Sequence, residues 1–141
     1  MTMLRDPEKT VGNMLDKQRL CYIGSVDEEG YPNIKCMLRP RLREGIRTIY
    51  FSTNTSSMRV EQYRKNAKAS IYVCDGRFFR GAMLKGHIEV LEDPELKARL
   101  WESGDDRYYP LGVTDPDYCI LRFTAVSGRY YGDMKSQSFS V

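Results

Sequence analysis

The sequence has a single histidine, His87, in 141 residues. A Ser-His-Asp triad with a spare imidazole or a His-based zinc cluster has little to draw on, and His87 reads as a strand residue. Cysteine lacks the spacing of a metal site: Cys21, Cys36, Cys74 and Cys119 form no Cys-x-x-Cys pair and have no neighbouring His. All four lie in apolar, strand-like runs, so reduced, buried thiols of a cytoplasmic protein and no bound metal are expected. Long apolar runs are missing as well. The first twenty residues carry Arg5, Asp6, Glu8, Lys9, Asp16, Lys17 and Arg19 with no apolar segment between them, which argues against a secretory signal. No run approaches a membrane span, and no membrane partner is expected.

Charge of one sign is not in excess either. Lys and Arg number 22 against 19 Asp and Glu, a net +3 that is mostly interspersed. The densest basic cluster is Arg39, Arg41, Arg43 and Arg47, and a nucleic-acid footprint would want a larger excess gathered on one face. The expectation is a solvated loop between strands, with one Arg facing a ligand, and no nucleic-acid partner. Hydrophobic residues at 41% and charged residues at 29% are ordinary for a globular chain. With no repeat, linker or low-complexity stretch, residues 1–141 read as a single domain.

What is present is mostly strand. Val11, Met14 and Leu15 have the spacing of a short amphipathic helix over 8–17. Residues 20–26 and 32–38 read as strands joined by the turn Asp27-Glu28-Glu29-Gly30, a β-hairpin. Glu44-Gly45 marks a second turn before a strand over 46–51. A helix is predicted over 57–65 with Asn66 as its stop, then strands over 69–74 and 78–91, the latter bent or bulged at Gly81 and Gly86. Asp93-Pro94 starts a helix that runs to about Trp101. After a loop over 104–114, Asp115-Pro116-Asp117 introduces a strand over 118–124, and Ser127-Gly128 turns the chain into a last strand over 129–132. Six or seven mostly antiparallel strands with short helices and no alternating βαβ pattern favour a small α+β barrel.

The segment richest in chemistry is Ser52-Thr53-Asn54-Thr55-Ser56-Ser57-Met58-Arg59. Hydroxyls, unpaired N–H groups at a helix start and a cation converge there, as an anion such as a phosphate requires. Ser and Thr before a helix also serve as plain N-caps that bind nothing.

Several stretches together resemble the pyridoxamine-phosphate-oxidase-like family of FMN-binding split barrels, in its bacterial general-stress-protein branch. They are Gly30-Tyr31-Pro32-Asn33-Ile34-Lys35-Cys36-Met37-Leu38, Ile49-Tyr50-Phe51-Ser52-Thr53-Asn54 with Ser57 and Arg59, Asn66-Ala67-Lys68-Ala69-Ser70-Ile71-Tyr72-Val73, Lys85-Gly86-His87-Ile88-Glu89-Val90 and Asp115-Pro116-Asp117-Tyr118-Cys119-Ile120-Leu121-Arg122-Phe123. The resemblance implies a six- to seven-stranded antiparallel split β-barrel with short flanking helices, and an obligate homodimer with FMN at the subunit interface. It implies that Ser52, Thr53, Ser57 and Arg59 hold the phosphate and that Lys35, Cys36, Met37 and Leu38 lie along the isoalloxazine ring. Met58 stands where a second cation is usual, so weaker cofactor retention is expected. Trp101, Tyr108 and Tyr109 are candidates for a lid over the flavin of the other subunit, or for plain packing.

Two departures argue against true pyridoxamine-phosphate oxidation. Gly81 replaces a flavin-contacting glutamine, and the chain closes at Val141 without the Arg- and His-containing segment that grips the substrate phosphate. No residue stands out as a general acid or base, so the catalytic residues stay unassigned. The expected function is an FMN-dependent oxidoreductase working between a reduced nicotinamide and a small acceptor. The alternatives are a flavin-binding stress protein without turnover, acting as carrier or sensor, and a split barrel that uses a deazaflavin or haem, His87 being the sole imidazole for the last.

Overall fold

Asp6 accepts the amide of Lys9 and Pro7 fills the first helical position, and so the chain enters α1 (Pro7–Lys17). The computed structural model describes residues 6–141; residues 1–5 of the expected domain lie outside it. Strands β1 (Leu20–Val26) and β2 (Pro32–Leu38) form the predicted hairpin, paired from Leu20↔Leu38 to Val26↔Pro32. Its turn is fixed by the Asp27 carboxylate, which accepts the amides of Glu29 and Tyr31, and by Gly30 at φ 86°.

The chain continues through β3 (Leu42–Glu44), β4 (Thr48–Asn54), α2 (Met58–Lys65), β5 (Lys68–Asp75), β6 (Arg80–Leu91), α3 (Pro94–Leu100), a 3-10 turn over Asp105–Arg107, β7 (Tyr118–Gly132) and β8 (Lys135–Ser140). All pairings are antiparallel, in the order β2-β1-β5-β6-β7-β4-β3. β7 holds β6 on one edge; β4 pairs with its first half on the other edge and β8 with its second half. This is the expected split barrel with eight strands instead of six or seven.

The differences have local causes. The strand β3 is three residues long, too short to show a period. Ser127-Gly128 is no turn: Gly128 lies inside β7, where a Cβ would press on the Phe139 ring and Leu84. The turn falls at Asp133 and Met134, both with positive φ (51° and 62°), so it carries no glycine signal. A bulge does fall at Gly86, where the register of β6 on β7 shifts between Lys85 and Gly86, but the extra residue is Val126 of β7. At Gly81 the register runs on unbroken.

Alternate residues of the strands fill the barrel: Cys21 and Ile23, Ile49 and Phe51, Ile71 and Val73, Leu121 and Phe123. Val11, Met14 and Leu15 of α1 and Val60 and Tyr63 of α2 close it. Each such side chain contributes about 1.5–3 kcal/mol by leaving water. A second cluster lies where α3 and the following loop meet β4 and β7, with Tyr50, Leu100, Tyr109, Tyr118 and Ile120 packed against Trp101. Cys21 and Cys119 are buried, and burial pushes both thiols up to about 12, so they stay protonated. Cys36 is exposed and Cys74 half-buried, unlike the uniform burial expected of the four. Among the described residues no helix is long and apolar enough to cross a membrane.

Candidate functional site

The sheet curls until β2 faces β4, and the two do not pair. Among the described residues β2 pairs with β1 alone, which leaves its far edge with free N–H and C=O groups. A cleft of about 270 Å³ opens along this seam. One wall is Lys35, Cys36, Met37 and Leu38; the other is Phe51, Ser52, Thr53 and Asn54. Side chains alternate across a strand, so four consecutive residues of β2 line one cleft by presenting the strand's edge. Arg59 of α2 closes one end, and Tyr108 and Tyr109 stand beside it.

The Arg59 end is electrostatically unfinished. Its Nη2 donates to Thr53 Oγ1 at 3.1 Å, and its Nε is buried with no partner among the described residues. Burial lowers its pKa, and no carboxylate offsets this. A buried guanidinium with a spare donor beside a hydroxyl is suited to a phosphate oxygen, whose charge-assisted bond would offset the desolvation.

The rest of the serine-threonine loop does something else. The Asp117 carboxylate accepts the amide and hydroxyl of Ser56 (2.8 and 3.1 Å), the Thr55 hydroxyl (2.9 Å) and the Asn54 amide group (2.8 Å). The amide of Thr55 goes to Asp117 O and that of Ser57 to Asn54 O. Thr55 and Ser56 are therefore not the free anion donors that their spacing suggested; they lock the loop that aims Thr53 and Arg59. These bonds, led by the Ser56 amide, hold Asp117 at about 2.

Of the ten predicted site residues, Lys35, Cys36, Met37, Leu38, Ser52, Thr53, Arg59 and Tyr109 line the cleft and two do not. Ser57 is the N-cap of α2, its hydroxyl accepting the Val60 amide. Trp101 stands behind Tyr109, with ring centroids 6.0 Å apart, and packs edge-on against Tyr118 at 5.3 Å. Tyr109 is buried, which pushes its phenol up, with Ser52 as its hydrogen-bond partner. Tyr108 is about half exposed at the lip. Asn54 also lines the cleft and Asp117 locks its loop, two roles not expected from the sequence although the Asp115-Pro116-Asp117 run marked the place. A Cβ on Gly81 would collide with the Tyr72 hydroxyl, so Tyr72 fills the space a glutamine there would need. A larger hollow of about 510 Å³ elsewhere on the sheet holds Lys68, Lys85 and His87 and none of the predicted site residues.

Residues 8–132 match the family described as pyridoxamine 5'-phosphate oxidase. The chain belongs to this pyridoxamine 5'-phosphate oxidase family. It is 38% identical to a Clostridium acetobutylicum protein related to general stress protein 26 of Bacillus subtilis, of the pyridoxinephosphate oxidase family. That likeness covers 99% of this chain and 97% of the other, with a TM-score of 0.89. A pyridoxamine 5'-phosphate oxidase-related, FMN binding protein from Nostoc punctiforme shares the fold at 12% identity, 99% of each chain and a TM-score of 0.74. A heme binding protein from Mycobacterium smegmatis does so at 14% identity and a TM-score of 0.76, over 99% of this chain and 60% of that one. Among curated proteins none matches the chain. The pyridoxamine 5'-phosphate oxidase fold thus occurs in proteins described as binding FMN and as binding heme.

Proposed function

We propose that this chain is an FMN-binding flavoprotein, a cytoplasmic homodimer that passes electrons between a reduced nicotinamide and a small acceptor. The observation that carries it is the partnerless Arg59 Nε beside Thr53, at one end of a cleft whose long wall is a free strand edge. Bound FMN would supply the redox chemistry, and the protein would position and tune it. Arg59, Thr53 and Ser52 bind the phosphate, while Ser57 and Asp117 hold their loop in place. The edge of β2 over Lys35, Cys36, Met37 and Leu38 offers backbone donors and acceptors to the polar rim of the ring. Lys35 sets a positive charge there and raises the potential at which electrons are taken up.

The dimer is supported by the outer face of β2, β1 and β5. Ile34 (78% exposed), Leu38, Leu20 and Tyr72 share this face, Leu20 directly opposite Leu38, and Leu38 carries the apolar surface to the cleft. Tyr108 and Tyr109 close the cleft, with Trp101 behind them as support. A carrier or sensor without turnover is the second reading, favoured by a lining that includes no carboxylate or imidazole to move a proton. His87 stands outside the cleft, so the cleft offers a haem no imidazole.

The test is the visible spectrum of concentrated protein before and after adding FMN and removing the excess by gel filtration. Stoichiometric flavin bands with NADH or NADPH consumption support the oxidoreductase. Flavin retained without consumption supports the carrier, and folded protein that retains none overturns the flavin reading.

A further inference from the structure

Arg41 lines the same cleft, yet its charge is spent elsewhere. Its guanidinium grips Asp105 with both forks, Nη1 to Oδ2 at 2.5 Å and Nη2 to Oδ1 at 2.8 Å, and Nη1 also donates to Leu100 O at 3.1 Å. Both side chains are nearly out of water, 10% and 5% exposed. Asp105 Oδ2 takes the Glu102 amide as well, at 2.8 Å. Burial pushes the Asp105 carboxyl up, but the Arg41 fork and the Glu102 amide outweigh it and hold it ionised below its usual range.

Arg41 lies on the segment by which the chain crosses from β2 toward β4, and Asp105 in the loop that packs on β4 and β7. Arg41 follows β2 by three positions and its amide is anchored on Tyr50 O of β4. Asp105 opens the 3-10 turn, and its carbonyl accepts the amides of both Tyr108 and Tyr109. The ion pair therefore joins the end of the Lys35–Leu38 wall to the turn that carries the tyrosines. We propose that Arg41 and Asp105 are a positioning pair, fixing the tyrosine side of the cleft against the β2 edge and thereby setting how tightly a phosphorylated flavin is held. A bidentate fork has one geometry, whereas apolar contact fills space without fixing direction. This rests on the flavin reading above.

The experiment compares wild type, Asp105→Asn and the double variant Arg41→Met/Asp105→Leu by FMN titration and thermal midpoint, with hydrogen exchange over residues 104–112. Asp105→Asn is expected to weaken FMN about tenfold, the lower end for removing a supporting partner of a binding group, and to speed exchange at the Tyr108 and Tyr109 amides. The double variant is expected to regain the wild-type midpoint but not the affinity. Should Asp105→Asn fail to fold, the double variant alone decides. A double variant that regains both midpoint and affinity overturns the proposal, as does Asp105→Asn binding FMN like wild type. Wild type that binds no FMN overturns the flavin reading and this proposal together; wild type that binds while the variants bind equally well overturns this proposal alone.

Discussion

Arg59 Nη2 donates to Thr53 Oγ1 at 3.1 Å while Nε of the same guanidinium is buried without a partner among the described residues. One half of the group is oriented and the other half waits for an acceptor. Arg59→Ala is expected to lower FMN affinity by about 1.5–3 kcal/mol, the range for a hydrogen bond to a charged group, with an unchanged far-ultraviolet circular dichroism spectrum. Equal affinity in a flavin titration would move the phosphate away from this end of the cleft.

Asp117 gives a pH dependence of definite sign. Its folded pKa is about 2 and an unfolded Asp titrates near 3.9, so only the ionised form stabilises the loop. That contribution is complete above the unfolded value and is lost as pH falls from about 4 through about 2. Urea midpoints of wild type and Asp117→Asn should differ at pH 7 and converge at low pH. A constant difference down to the acid limit would contradict the role assigned to the carboxylate.

Two glycines of β6 separate backbone from side-chain crowding. A Cβ on Gly86 would run into the Thr124 carbonyl and lie 3.0 Å from Ala125 Cα, atoms that cannot swing away. At Gly81 the main obstacle is the Tyr72 hydroxyl, the far end of a flexible, part-exposed ring. Gly86→Ala should cost about 3 kcal/mol and Gly81→Ala less than about 1 kcal/mol in chemical denaturation. The reverse order would place the strain of the barrel elsewhere.

The proposed dimer can be broken on its apolar face. Ile34 is 78% exposed on the edge strand, and Ile34→Glu would bury an unpaired carboxylate in the contact. Sedimentation should show a shift from dimer to monomer, with flavin retention falling in parallel. A variant that stays dimeric would assign the contact to another surface.

The legible parts of this chain were those in which local chemistry and tertiary role agree. The 20–26/32–38 hairpin, the Asp93-Pro94 helix start and the Gly86 bulge follow from short-range rules, and the structure has all three. Ser127-Gly128 misled because a glycine needed for close approach to Phe139 has the same letter as one needed for a turn. The turn that does occur uses Asp133, which tolerates a positive φ, and Met134, which does not favour one and is held by the pairing of β7 with β8. In the site, the walls were readable because each is a continuous run of sequence. Asp117 was not, since its partners lie 61 to 63 residues away. The Arg41–Asp105 pair spans 64 positions, and only the folded chain brings it together.

One strand, Tyr118–Gly132, carries the hydrogen bonds of β4, β6 and β8. None of β4, β6 and β8 can leave the sheet without breaking its pairing to this strand, whereas β2, β1 and β5 lie beyond β6 and do not pair with it. The wall of the cleft at Phe51–Asn54 hangs on the same backbone as the terminal hairpin, pairing through Asn54↔Tyr118 to Phe51↔Leu121. This wall of the cleft therefore unfolds with the molecule as a whole, and the β4 amides bonded to β7 should exchange with solvent as slowly as the most protected ones in the core.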